Sequence, residues 1–171
     1  KLNVPHIRQS HKTTCGATAL AMVLNYWKIM DSQEVVWLSC KSQRPNSTDE
    51  YTTTKNLVNY SKRSHNFDVI HDTSSVTLNS KIATLIDYLD QGLPVIVCQR
   101  VSRNSIWGHY RVVIGYDHNN FFVNDPLDDY PCKGISFKDF NKLWERTIDN
   151  EVIGGEYFLI LPKSKDSKLL T

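Results

Sequence analysis

Gln9-Ser10-His11-Lys12-Thr13-Thr14-Cys15-Gly16 runs straight into Ala17-Thr18-Ala19-Leu20-Ala21-Met22-Val23-Leu24-Asn25-Tyr26-Trp27. The second half of this stretch is almost wholly apolar and reads as a buried helix. Thr13 and Thr14, both capping residue types, stand at its start. Cys15 is therefore placed at the head of a helix rather than inside one. The first turn leaves backbone N–H groups unpaired, and the helix dipole adds partial positive charge at that end. Both favour the thiolate, which is the nucleophilic form of cysteine. Gln9 precedes Cys15 by six residues. Its side-chain NH2 could reach the point where a carbonyl attacked by Cys15 gathers negative charge, with the Cys15 N–H as a second donor. The plainer alternative is a small apolar cysteine packed inertly under a helix. Partners further along the chain must separate the two.

The whole chain sets bounds on what those partners can be. Its 171 residues suit a single domain over 1–171, with a core at about 4–161 and a mobile tail at 162–171. The composition is that of a globular protein, 40% hydrophobic and 22% charged, with a formal net charge of +2. No cluster of Lys and Arg marks a nucleic-acid footprint. No apolar run approaches the roughly 18 residues of a membrane span. Cys15, Cys40, Cys98 and Cys132 form no CxxC pair, which disfavours a zinc ribbon or a thioredoxin-like site. With Cys15 set aside as a free thiol, three remain, and no disulfide framework can be read from an odd number. The first residue is Lys1 rather than Met. Either trimming or removal of a signal segment would account for it.

After the first helix, Asp31-Ser32-Gln33-Glu34 has capping-box spacing and opens a short helix through Leu38. Lys41 to Glu50 reads as a polar loop. Thr53 or Thr54 starts a helix with Leu57, Val58 and Tyr60 facing inward, and 67–70 is a short strand. Asn79-Ser80 is expected to cap an amphipathic helix in which Ile82, Leu85, Ile86 and Leu89 share one face, stopped by Gly92. Residues 93–98 and 110–116 read as buried strands. A turn at 117–120 then leads to a returning strand at 121–124. Ser136 caps a last helix carrying Phe137, Phe140 and Trp144, and 157–161 is the final strand. Gly154-Gly155 reads as a flexible approach to that strand. Helices lead and an antiparallel sheet follows, which defines an α+β fold.

His109 sits at the start of a strand, where a side chain is held firmly yet can be reached. A histidine there can take the Cys15 proton or stay beside the thiolate as imidazolium. Asp125 ends the returning strand in Val123-Asn124-Asp125-Pro126, and the two positions face each other if the hairpin turns near Asn119-Asn120. Asp125 would then accept the second imidazole N–H and fix the ring. Read singly, His109 is an edge-strand residue and Asp-Pro an ordinary turn. Together with Cys15 and Gln9 in this order they form a set. His6, His11, His65, His71 and His118 make no HExxH or other tight ligand pattern, so no metal is expected.

These residues resemble the C39-like branch of papain-type cysteine peptidases. The likeness is carried by Val4-Pro5, Gln9, the block from Cys15 to Tyr26, Gly92 to Val97, Gly108 to Asp117, Val123 to Pro126 and the helix from Phe137 to Trp144. It spans about Val4 to Leu161. It implies a papain-like fold, a helical half carrying the nucleophile packed on an antiparallel sheet carrying His and Asp. It also implies Cys15 as nucleophile, His109 as base, Asp125 as its orienter and Gln9 in the oxyanion hole, with no cofactor. Transporter-linked members often carry an acidic residue just before the cysteine, where this chain has Thr14. The Gly-Leu-Pro-Val and Gly-His-Tyr-Arg-Val-Val-Ile-Gly-Tyr-Asp blocks are more similar to free-standing relatives, many of them exported or lipid-anchored in bacteria. The expected activity is thiol-dependent cleavage of peptide or isopeptide bonds in a peptide or protein substrate, by a monomer exported from a bacterium. Acyl transfer on the same fold, a catalytically silent peptide-binding domain, double-glycine leader cleavage in a bacteriocin transporter and a cytoplasmic location are the alternatives. The loops at 41–50, 99–107 and 126–134 are expected to build the cleft.

Overall fold

A computed structural model describes residues 1–74 and 76–163, so the expected tail is outside the described residues from 164 onward. The first element is helix α1 (Cys15–Tyr26), buried continuously from Gly16 to Leu24. A helix covered on all sides needs no amphipathic stripe, which is why its sequence is apolar throughout. Helix α2 (Gln33–Cys40) follows, with Ser32 Oγ accepting the Val35 N–H at 3.2 Å. Strands β1 (Lys41–Gln43) and β2 (Glu50–Thr52) then pair as a small antiparallel ribbon. The expected loop over 41–50 is thereby reduced to 44–49. Three-residue polar strands carry too little alternation to be seen in sequence.

Helix α3 (Thr54–His65) is capped by Thr53 and leads to β3 (Asp68–Asp72). Helix α4 (Leu78–Asp90) has its cap two residues ahead of the expected Asn79, because Thr77 Oγ1 accepts the Ser80 N–H at 3.3 Å. Strands β4 (Val95–Arg100), β5 (Gly108–Tyr116) and β6 (Asn120–Asn124) form a meander. Strand β7 (Lys133–Ser136) was not evident in the sequence, where this region reads as loop; it pairs with β6 from Asn120 to Val123. Ser136 caps α5 (Phe137–Trp144) as expected, and β8 (Tyr157–Leu161) closes the chain. Gly154 and Gly155, read as flexible, have φ of 84° and 66°, a conformation that favours glycine.

The large sheet is antiparallel throughout, in the order β3-β8-β4-β5-β6-β7. Period-two alternation sends Ile96, Cys98, Val112 and Ile114 to a core shared with α1, α2 and α3. Val95, Val97 and Val113 go to the opposite core, packed under α4 and α5. Covering both faces explains why β4 is apolar at consecutive positions. The second helical layer is the structure's addition to the expected arrangement of helices against a sheet.

Space is tightest where α1 meets the sheet. A Cβ built on Gly16 would fall against Thr52 Oγ1, and within 3.0 Å of the Tyr110 ring and 3.1 Å of Leu57 Cδ1. Glycine is therefore required beside Cys15 for room. Gly16→Ala should destabilise the fold by about 1–3 kcal/mol, the usual cost of overpacking. Denaturant melts check this, and a wild-type midpoint would contradict the packing argument.

Candidate active site

Thr14 occupies the N-cap position of α1, but its side chain does not cap the helix. Instead Thr14 Oγ1 donates to the His11 carbonyl at 2.9 Å and accepts the His11 N–H at 3.2 Å, closing the turn before the helix. The first N–H groups of α1 are left to other partners. One of them, on Gly16, points at the Cys15 thiol, as does the N–H of Tyr110 on β5. Half-buried in the lining of a cavity of about 760 Å³, Cys15 lies beside the His109 ring, near enough for each to act on the other's ionisation. Burial works against ionisation there. The His109 hydrogen bond, its charge and the two N–H groups outweigh it and hold the thiol below its ordinary pKa.

His109 Nε2 meets Asp125 Oδ1 at 2.6 Å, and both side chains are buried. Burial alone would lower the His109 pKa. Hydrogen bonds with Asp125 and Cys15, and the charges of both, raise it instead. The two residues are not directly opposite, however. A bulge between Val113 and Gly115 resets the hairpin so that Val112 pairs with Asn124. Continuing that register by one step puts Arg111 across from Asp125 and His109 on the diagonal, a separation that side chains of this length can span. Arg111 Nε donates to Asp125 Oδ2 at 2.7 Å, and the Leu127 N–H donates to Oδ1 at 2.9 Å. Burial would raise the Asp125 pKa, but its bond to His109, the charges of His109 and Arg111, and the Leu127 N–H hold the carboxyl well below the usual range.

Gln9 lines the same cavity. Its backbone N–H donates to the Pro126 carbonyl at 2.8 Å, tying it to the Asp125 loop. Its side-chain Nε2 donates to the His11 carbonyl at 2.7 Å, while Oε1 is buried without a partner. Gln33, which the sequence reading assigned only to a helix start, holds this segment on both sides of Gln9. Its Oε1 accepts the Ser10 N–H at 2.9 Å and the Thr18 hydroxyl at 2.8 Å, and its Nε2 donates to the Arg8 carbonyl at 2.8 Å. A buried glutamine with its oxygen and its nitrogen both bonded is a rigid bracket. Its role has no local sequence signal, because its partners are backbone atoms set by the fold.

The expected cleft loops all reach the cavity: Arg44 from the first, Trp107 from the second and Leu127 from the third. A fourth wall, Asn150 to Glu156, was not foreseen. From it Glu151 binds Arg44 at 2.8 Å, while the Arg44 guanidinium lies over the Tyr51 and Trp107 rings at 4.4 and 5.1 Å. At the inner end Glu156 accepts from Thr54 at 2.7 Å and pairs with His71 at 3.1 Å, and Thr54 meets the Tyr110 hydroxyl at 2.8 Å. Among the described residues no group of three or more His, Cys, Asp or Glu could hold a metal ion, and no helix is long and apolar enough to cross a membrane.

A nucleophile-type cysteine at a helix head, paired with a histidine and a carboxylate on an antiparallel sheet, defines the papain-like class of fold. The sequence profile of the Peptidase_C39 like family matches residues 1–151, and the chain belongs to that family. A protein described as a C39-like peptidase from Bacillus anthracis has a similar structure, with TM-score 0.73 and 19% identity over 95% of this chain and 96% of that one. So does the peptidase domain of Streptococcus ComA, a bi-functional ABC transporter involved in quorum sensing, with TM-score 0.70 and 21% identity over 94% and 100%. A double glycine motif protease from an AMS/PCAT transporter, solved with its leader peptide, has TM-score 0.66 and 20% identity over 95% and 94%. No curated protein matches the sequence significantly.

All four cysteines are free, but their surroundings differ. Burial pushes the Cys40 thiol up to about 12 and raises Cys98 well above its ordinary value. A limiting dose of iodoacetamide at neutral pH should therefore alkylate Cys15 first. Peptide mapping reads this out, and equal labelling of Cys40 or Cys132 would contradict the assignment.

Proposed function

We propose that the protein is a thiol-dependent peptidase that cleaves peptide or isopeptide bonds through an acyl-enzyme on Cys15. The observation that carries this reading is the Cys15 thiol lying beside His109 in the lining of one cavity, with His109 Nε2 held 2.6 Å from Asp125. In the reaction, the Cys15 thiolate attacks the substrate carbonyl carbon and the C=O electron pair moves to oxygen. His109 then gives its proton to the leaving nitrogen as the C–N bond breaks, which leaves a thioester. Water attacks the thioester while His109 takes its proton, and the acid departs as the Cys15 thiolate and the imidazolium re-form. Asp125 holds the imidazole orientation throughout. The transporter-linked neighbours support a peptide as the substrate class, one of them having been solved with a leader peptide bound.

Incubation with a peptide library, followed by mass analysis of the products, tests the reading. New termini are expected with the wild-type protein and none with Cys15→Ala. Products that persist with Cys15→Ala, or that never form with either, would overturn it.

Gln9 is assigned to the oxyanion hole with the Cys15 N–H. One Nε2 hydrogen is used on the His11 carbonyl, leaving the other for the substrate oxygen. Gln9→Ala should lower kcat by about 10²-fold, the scale of one lost donor, with little change in KM. Gln9→Glu should be at least as damaging, because it sets an acceptor against a developing negative charge. Thermal melts run beside the kinetics separate this from a loop defect. An unaltered kcat in a well-folded Gln9→Ala protein would exclude the role.

A further inference from the structure

Two residues apart on β5, His109 and Arg111 leave the strand on the same face, and both reach Asp125. One carboxylate oxygen faces the imidazole at 2.6 Å and the other faces the guanidinium at 2.7 Å. Arg111 is only 4% exposed. The rest of its fork is spent on uncharged acceptors: Nη1 on the Arg100 carbonyl at 2.9 Å and Gln99 Oε1 at 3.3 Å, and Nη2 on the Val101 carbonyl at 2.9 Å. Among the described residues, Asp125 is the one carboxylate that Arg111 contacts.

We propose that Arg111 is a positioning residue that offsets the charge of Asp125, so that His109 rests against a carboxylate whose pull on its proton is weakened. The inference rests on the peptidase reading for its purpose, and on the geometry alone for its content. With Cys15 as thiolate and His109 as imidazolium, the group of four, three of them buried and Cys15 half-buried, carries two positive and two negative charges and is neutral. Without Arg111 it would carry a net negative charge in a site with little water to screen it.

The other groups facing this cluster are few. His6, from the N-terminal segment, meets the Asp125 main-chain oxygen at 3.0 Å. Cys98 on β4 and Tyr110 on β5 are held neutral by burial, and Glu156, just before β8, acts on those two. Lys12 and Glu151 line the outer cavity. None of them is altered by the substitutions below.

Removing a positive charge disfavours the Cys15 thiolate and favours the His109 imidazolium. Both transitions should therefore move to higher pH. In Arg111→Gln, the pH at which Cys15 becomes reactive to iodoacetamide and the pH at which His109 titrates by NMR should each rise by about one pH unit. Arg111→Lys keeps the charge and should stay close to wild type, even if it melts earlier. Asp125→Asn leaves Arg111 uncompensated and should move both transitions the opposite way, to lower pH. A merely structural Arg111 would change the melting temperature and leave both transitions in place. Unmoved transitions in folded Arg111→Gln, or an equal shift in Arg111→Lys, would overturn the proposal. Should Arg111→Gln fail to fold, the double variant Arg111→Gln/Asp125→Asn decides it: losing both charges should return both transitions close to wild type, and transitions that stay as low as in Asp125→Asn alone would overturn the proposal. Neither readout needs a substrate. The expected shifts in a protein that cleaves no peptide would refute the peptidase reading and leave the charge inference standing.

Discussion

A helix buried on every side has only its ends left for chemistry. Helix α1 packs between α2, α3 and the sheet along its full length, so the one place where its backbone polarity is unspent is the turn at Cys15. Thr14 could have capped that turn and does not; its hydroxyl is used on His11. One of the donors thus left over, the Gly16 N–H, serves the sulfur. Burial opposes the thiolate, and the site overcomes that opposition with directed hydrogen bonds and one histidine. The rest of the site is arranged around this balance: His109 acts on the sulfur, Asp125 on His109 and Arg111 on Asp125.

The sheet supplies rigidity in a particular way. With helices on both faces, β4 and β5 are fixed by two cores at once, and His109 begins a strand whose remaining residues cannot shift independently. The bulge near Gly115 then sets which β5 residues meet Asp125. A single-residue slip there would exchange one face of the strand for the other. Irregularity in the ladder thus decides which cation meets each carboxylate oxygen.

Much of this was readable from the chain itself. The helix at Cys15, the cap at Ser136, the strands from 95 to 124 and the residues that now cluster at Cys15, His109 and Asp125 follow from periodicity, capping residues and spacing. What escaped was of another kind. The β1–β2 ribbon and β7 are short and polar, and long-range pairing creates them. The cap at Thr77 rather than Asn79-Ser80 was a choice between adjacent capping types. Arg111 sat inside an apolar run and gave no sign that its guanidinium would turn toward a carboxylate. Gln33 was visible as a helix-start residue, yet its bonds to Arg8, Ser10 and Thr18 exist only once three segments have met.

The N-terminal segment has one more consequence, for the order of events during synthesis. Leu2 bonds to Ile114, Val4 to Asn124 and Gln9 to Pro126, so the segment ahead of α1 is held by the later strands of the meander, more than a hundred residues on. Contacts so distant in sequence form late, after the loop between them has closed. A chain emerging from the ribosome therefore carries an ordinary thiol at Cys15 until residues 109–126 have been delivered and folded. The lowered pKa of Cys15 is thus coupled to completion of the sheet, and an incomplete chain lacks the groups that hold the thiol down.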